Sequence, residues 1–261
     1  MKEYFISEID IEKLYHLSDI KIKLDSNKRQ HLLLTGKNGS GKTSLLLEIE
    51  KFLRAINDEK LSQVFDQYPT WINEAKKKVL SASSDSEKYA ADKDLKQCLG
   101  FLKKYSDGVQ INLNQYEGLE MMYHNGKFIT AYFPSERKAQ FMRPNGVENI
   151  TLENTYGIDE SAGDILLKYM VHLKTQQAYA RNEGDQTTAD KIQQWFDRFD
   201  SALQILLDEE SIHIEYDYKK YDFKIRQNGR EPFSFNELSD GYSSVIYIVS
   251  DLILRMDKIG C

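Results

Sequence analysis

Apolar and polar residues alternate with a period of two over 5–11 (Phe5-Ile6-Ser7-Glu8-Ile9-Asp10-Ile11) and again over 20–24 (Ile20-Lys21-Ile22-Lys23-Leu24), the pattern of strands with one buried face. His31-Leu32-Leu33-Leu34-Thr35 is a short continuous apolar run, which predicts a strand buried on both sides. Beyond a glycine-rich stretch, residues 44–53 carry apolar positions at helical spacing. The predicted order is therefore strand, loop, helix. Residues 57–106 are charged, rich in lysine and periodic enough for helices, with a loop expected at 81–86, and they read as an inserted helical region. Strands are predicted to return over 118–133, where Asn125-Gly126 between apolar runs signals a type I′ hairpin. A second helical region over 161–207, interrupted at Asn182-Glu183-Gly184-Asp185, reads as a helical hairpin arm. Two alternating strands at 212–216 and 222–226 and a last helix beginning near Gly241 complete an α/β chain without internal repeats or low-complexity tracts.

Composition narrows the classes of function. With 261 residues, 41% of them hydrophobic, the chain can fill a sizeable core. A formal charge of −6 argues weakly against a generally sticky nucleic-acid binder and leaves a local basic groove for nucleic acid open, and Lys76-Lys77-Lys78 reads as a wet helix face. Cys98 and Cys261 sit in no metal-binding or disulfide spacing. The longest apolar stretch, 245–256, is broken by Ser250, Asp251 and Arg255 and is too short to span a bilayer. Met1-Lys2-Glu3-Tyr4 does not begin a secretory signal, so the expectation is a soluble, cytoplasmic protein.

The chemistry concentrates in Gly36-Lys37-Asn38-Gly39-Ser40-Gly41-Lys42-Thr43, which fits G-x-x-x-x-G-K-[ST] in full and is followed by Ser44. Glycines allow the backbone to curl until successive N–H groups face one anion, and the helix that follows adds its positive end. On this reading Lys42 reaches the β- and γ-phosphates of ATP, and the Thr43 hydroxyl is the Mg²⁺ ligand. A second motif, Leu238-Ser239-Asp240-Gly241, precedes the apolar run 245–249. A hydroxyl, a glycine N–H and a helix start there form another surface suited to phosphate, or they simply cap the helix.

Leu238-Ser239-Asp240-Gly241, behind a strand pair and ahead of an apolar helix, resembles the signature of ABC-type ATPases, in the branch of SMC-like and overcoming-lysogenization-defect-like proteins. The strands before the phosphate loop, Ala131-Tyr132-Phe133-Pro134-Ser135-Glu136-Arg137 and the arm containing Trp195-Phe196 are similar to ATPases of bacterial anti-phage systems such as Septu and retron operons. The resemblance implies a P-loop NTPase fold, an ABC-ATPase-like head with N-terminal antiparallel strands and two helical insertions, 57–106 and 161–207. It implies Mg-ATP held by one protomer and met in trans by Ser239, Asp240 and Gly241 of a second, in a head-to-tail dimer. The implied partners are that second protomer and an effector, a nuclease or another defence protein.

The sequence also departs from that family. A Walker B strand ending in Asp-Glu is expected after the signature, and the chain reaches Cys261 about where it should start, so 1–261 reads as an incomplete ABC-like domain. Ile205-Leu206-Leu207-Asp208-Glu209 has the local look of that strand but precedes the signature. Trp195, Phe196, Phe199, Leu203, Leu206 and Leu207 share one helical face, which puts Asp208 and Glu209 at a helix end. In a RecA- or AAA-like arrangement the same pair becomes the candidate for metal and water activation. Gln140, near the place of the family's Q-loop glutamine but at loose spacing, reads as a solvated loop residue, and Arg137 stays open between a phosphate contact and an acidic partner. Tyr15 and His16, at a bend before the second strand, could approach adenine but read as ordinary surface or core residues. Two functions stay open: an ATPase that switches an effector, and a module that senses ATP without hydrolysing it. A kinase is the weaker third, since no acceptor site is evident.

Overall fold

The computed structural model describes residues 3–134 and 141–257. The chain divides into two compact units, Met1–Thr130 and Ala131–Cys261. Both are mixed α/β, and no helix among the described residues is long and apolar enough to cross a membrane.

In the first unit, strands β1 (Ile6–Leu14), β2 (Leu17–Lys23) and β3 (Val109–Leu113) form an antiparallel sheet in the order β2-β1-β3. Alternation explains why β1 is central. Ile9 lies opposite Ile22 and Ile111, Ile11 opposite Ile20 and Val109, and both central isoleucines are almost fully buried. Helix α1 (Lys42–Asn57) adds Leu45, Phe52, Ala55 and Ile56 to the same core. Each large side chain buried there stabilises the unit by about 2 kcal/mol.

Helices α2 (Tyr68–Ser81) and α3 (Asp85–Lys103) pack side by side over the 57–106 region, preceded by a π-helical turn at Gln63–Gln67. Ser84 starts α3 by accepting from the Glu87 N–H at 3.2 Å, while the Glu87 carboxylate accepts from the Ser83 N–H at 2.8 Å. That exchange fixes the turn predicted at 81–86.

Two expectations fail in this unit. Residues 31–35 form no strand: Leu33 is 84% exposed, and among the described residues no neighbouring strand offers the run a ladder. An apolar run can specify a strand's faces but cannot supply its hydrogen-bond partner. The predicted hairpin over 118–133 is instead helix α4 (Leu119–His124) followed by irregular chain. Gly126, at φ 57°, donates to the Tyr123 carbonyl at 2.7 Å, and Lys127 donates to Met122 at 2.8 Å. Those two bonds are the Schellman closure of a helix, which needs the same left-handed glycine that a type I′ turn needs.

The second unit opens with a 3₁₀ turn (Ala162–Ile165) leading into α5 (Leu166–Asn182) and α6 (Gln186–Leu207), which pack as a hairpin where the sequence breaks at 182–185. Strands β4 (His213–Asp217), β5 (Asp222–Arg226) and β6 (Phe233–Ser234) form a second antiparallel sheet in that order. Trp195 stacks on Phe199 at 5.5 Å, and Phe196 stacks on Phe223 of β5 at 6.1 Å, so the aromatic face of α6 builds the core. Helix α7 (Asp240–Met256) closes the unit. Its Arg255 and Asp251 are buried and joined at 2.5 Å. They bind the 156–163 segment, Asp251 accepting from the Gly163 N–H at 3.0 Å and Arg255 donating to the Gly157 carbonyl at 3.1 Å and to that of Glu160. Both sheets are antiparallel, and the described residues contain no parallel sheet. Ser135, Glu136, Arg137, Gln140 and Cys261 lie outside the described residues.

Candidate functional site

The glycine loop adopts the curl that its composition requires. Gly36, Gly39 and Gly41 take φ of 152°, 79° and 90°, values closed to most side chains. A Cβ on Gly36 would lie 2.8 Å from the Ser40 hydroxyl, and one on Gly41 would lie 2.8 Å from Leu17 Cδ1. Within the curl, Ser40 N–H donates to the Lys37 carbonyl at 3.2 Å. The loop is entered from irregular chain, because the strand expected at 31–35 does not form.

Lys42 is the first residue of α1, and its side chain turns back over the loop. Its Nζ donates to the carbonyls of Gly36 and Lys37 at 2.8 Å each and lies 3.4 Å from Ser40 Oγ. The ammonium at the end of the curl is thus tied back to two adjacent carbonyls at its start. Thr43 is exposed, and Ser44 half-buried, in the same first turn. That turn holds no acidic residue, and Gly41 provides no side-chain cap, so the helix presents bare leading N–H groups. The first helical bond runs from Leu45 N–H to the Gly41 carbonyl at 2.9 Å.

These residues fit a phosphate with its divalent cation. The donors are backbone N–H groups and an ammonium, as an anion requires, and the only hydroxyls in the turn are those of Thr43 and Ser44. Among the described residues no cluster of three His, Cys, Asp or Glu side chains could hold a metal by itself. A Mg²⁺ ion at this loop would therefore rest on the phosphates with Thr43 as its protein ligand.

Tyr15 and His16, which the sequence favoured as ordinary surface or core residues, lie beside the loop. The β1–β2 turn carries Tyr15, which is 78% exposed, and places the His16 ring 3.7 Å from the Cβ position at Gly41, with Leu17 closer still. Proximity of this turn to the loop is a product of the fold, and residue spacing carried no signal for it.

The other predicted site residues belong to the second unit. Ser239 is the N-cap of α7, in extended conformation with no side-chain cap bond, and Ser239, Asp240 and Gly241 are all exposed. Nothing lies within 4 Å of a Cβ position at Gly241. The approach to them is rigid: Asn236 accepts from the Phe141 N–H at 3.2 Å and donates to its carbonyl at 3.3 Å, and the Glu237 carboxylate accepts from the Ser234 N–H at 2.5 Å. The Ser234 N–H, and after it the Ser234 hydroxyl, hold the Glu237 carboxyl below the usual glutamate range. Asp208 is the left-handed C-cap of α6, and Glu209 follows it. Glu209 accepts from Ser211 Oγ at 2.7 Å, from Ser211 N–H at 3.1 Å and from Gln227 at 3.2 Å, so its charge braces a loop and its pKa is lowered, first by the serine hydroxyl.

No protein-family model, no curated protein and no solved structure matches the chain.

Proposed function

We propose that residues 36–44 hold the triphosphate of ATP with Mg²⁺, and that the chain is the ATP-binding head of an ABC/SMC-like P-loop ATPase. The single observation that carries this reading is the Lys42 ammonium drawn over a curled glycine loop at an uncapped helix start. In this reading the N–H groups of the loop and first turn bind phosphate oxygens, Lys42 balances their charge, and Thr43 ligates the ion. Bound Mg²⁺ supplies charge neutralisation on the phosphates. Tyr15, exposed on the adjoining turn, offers an aromatic face to the base. The exposed α7 start, with Ser239, Asp240 and Gly241, would meet the nucleotide of a second protomer, and the resulting dimer would switch a partner effector, a nuclease or another defence protein.

The test is ATP titration by calorimetry, with magnesium, of the parent chain and the Lys42→Ala variant. Loss of a charge-assisted contact worth about 2 kcal/mol predicts affinity weakened by about thirtyfold. Equal affinity in the two proteins removes the reading. Dimerisation that depends on Mg-ATP and is lost in Ser239→Arg tests the second half by light scattering.

One observation favours a sensing module over a hydrolase. Glu209, the alternative water-activating carboxylate, is committed to Ser211 and Gln227. On that reading ATP binds without phosphate release. A turnover assay decides: release that is abolished in Asp208→Asn or Glu209→Gln returns this chain to the hydrolases.

A further inference from the structure

Asn38 and Gly39 form an Asn-Gly pair inside the glycine loop, and three more such pairs occur in the chain, at 125–126, 145–146 and 228–229. Glycine is the least hindered residue that can follow an asparagine, since no Cβ shields its nitrogen from the side-chain amide before it. What separates the four pairs is the state of that nitrogen. Gly126 N–H is committed to the Tyr123 carbonyl at 2.7 Å. The hydrogen bonds of the glycine loop run instead through Ser40 N–H and Lys42 Nζ, and among the described residues neither Gly39 N–H nor the exposed Asn38 side chain makes one. Beyond the adjoining residues, no atom lies within 4 Å of a Cβ position at Gly39, so a ring closing there has room.

Charge separates Asn38 from the other two pairs, whose glycine N–H groups also make no hydrogen bond among the described residues. No Asp or Glu occurs between Ser26 and Leu47, Lys37 and Lys42 flank the pair, and α1 begins three residues after Gly39. Asn145 and Asn228, by contrast, are each followed three positions on by a glutamate, Glu148 and Glu231. Attack on the amide takes the glycine proton and builds negative charge on nitrogen and then on oxygen, so a positive field lowers the barrier and a carboxylate raises it. We propose that Asn38 is a deamidation site whose reaction disables the loop. The Gly39 nitrogen bonds to Asn38 Cγ as its proton passes to water, the Cγ–Nδ2 bond breaks, and the amide leaves as ammonia. Water then opens the succinimide, at Cγ to give aspartate or at the backbone carbonyl to give isoaspartate. No oxidant or other reactant enters. Either product sets a carboxylate among the groups that face an anion, and isoaspartate also lengthens the chain path within the curl. A phosphate bound in the loop takes up Gly39 N–H and shields the pair, a step that rests on the phosphate reading of residues 36–44.

The full chain is incubated in mildly alkaline buffer, alone and with Mg²⁺ and saturating inorganic tripolyphosphate, and site-resolved mass spectrometry follows conversion at the four asparagines. Asn38 is expected to convert about tenfold faster than Asn125, whose glycine N–H must first leave its bond, and about twofold or more faster than Asn145 and Asn228. Tripolyphosphate should slow Asn38 about tenfold. Calorimetric titration of tripolyphosphate should show affinity weakened by about tenfold or more in fully converted protein. Asn38→Gln, compared with its own fresh sample, should not decline on incubation, because a glutamine has a larger and slower ring to close. Conversion at Asn38 no faster than at Asn125, Asn145 or Asn228 overturns the proposal. So does converted protein that binds tripolyphosphate like fresh protein, or conversion that saturating tripolyphosphate leaves unchanged. Fresh protein that binds no tripolyphosphate refutes the phosphate reading instead, and the rank of the four rates then decides the deamidation by itself.

Discussion

Arg255→Leu is expected to destabilise the second unit through the partner it abandons. Arg255 and Asp251 stand one turn apart on α7 with side chains 2% and 1% exposed. Removing the guanidinium leaves the Asp251 carboxylate buried, with the Gly163 N–H at 3.0 Å as a remaining donor, and takes a donor from the carbonyls of Gly157 and Glu160. A buried ion pair broken from one side costs about 3–5 kcal/mol. Asp251→Asn combined with Arg255→Leu removes the buried charge and keeps an acceptor for Gly163, and should recover part of the loss. Urea unfolding followed by Trp195 fluorescence reads the second unit alone if Trp71, the other tryptophan, is first replaced by Phe. A loss below about 1 kcal/mol would refute the reasoning.

Gly126→Ala puts a Cβ in the left-handed position that closes α4 and should cost about 1 kcal/mol, read as a lowered melting temperature of the first unit. A type I′ hairpin at the same site is excluded if amide exchange shows the Tyr123 and Met122 bonds protected in the parent. Glu237→Gln tests the approach to α7. The lowered Glu237 pKa contributes stability above the unfolded glutamate value and loses it as pH falls through the folded one, so the variant should flatten the acid limb of the unfolding curve, and an unchanged limb contradicts that role. Asn236→Ala breaks both bonds to Phe141 and should cost about 1–2 kcal/mol in the second unit, measured by urea midpoint.

Most elements could be read from the order of residues because their cause is local. Alternation placed β1, β2, β4 and β5, and helical spacing placed α1 and α6, whose aromatic stripe put Asp208 and Glu209 beyond a helix end. Residues 36–44 were legible for a similar reason, since glycines, a lysine and a threonine at fixed spacing dictate the curl they form. Tertiary structure decided what depends on a partner. His31 to Thr35 has the apolarity of a strand but no ladder to join among the described residues, and Asn125-Gly126 serves a helix end as readily as a hairpin, since both use one left-handed glycine. The meeting of the β1–β2 turn with Gly41 and the clamp of buried Asp251 and Arg255 on the 156–163 segment join residues distant in sequence. Periodicity describes one element's faces; which face meets which is set when the chain closes its loops and packs its side chains.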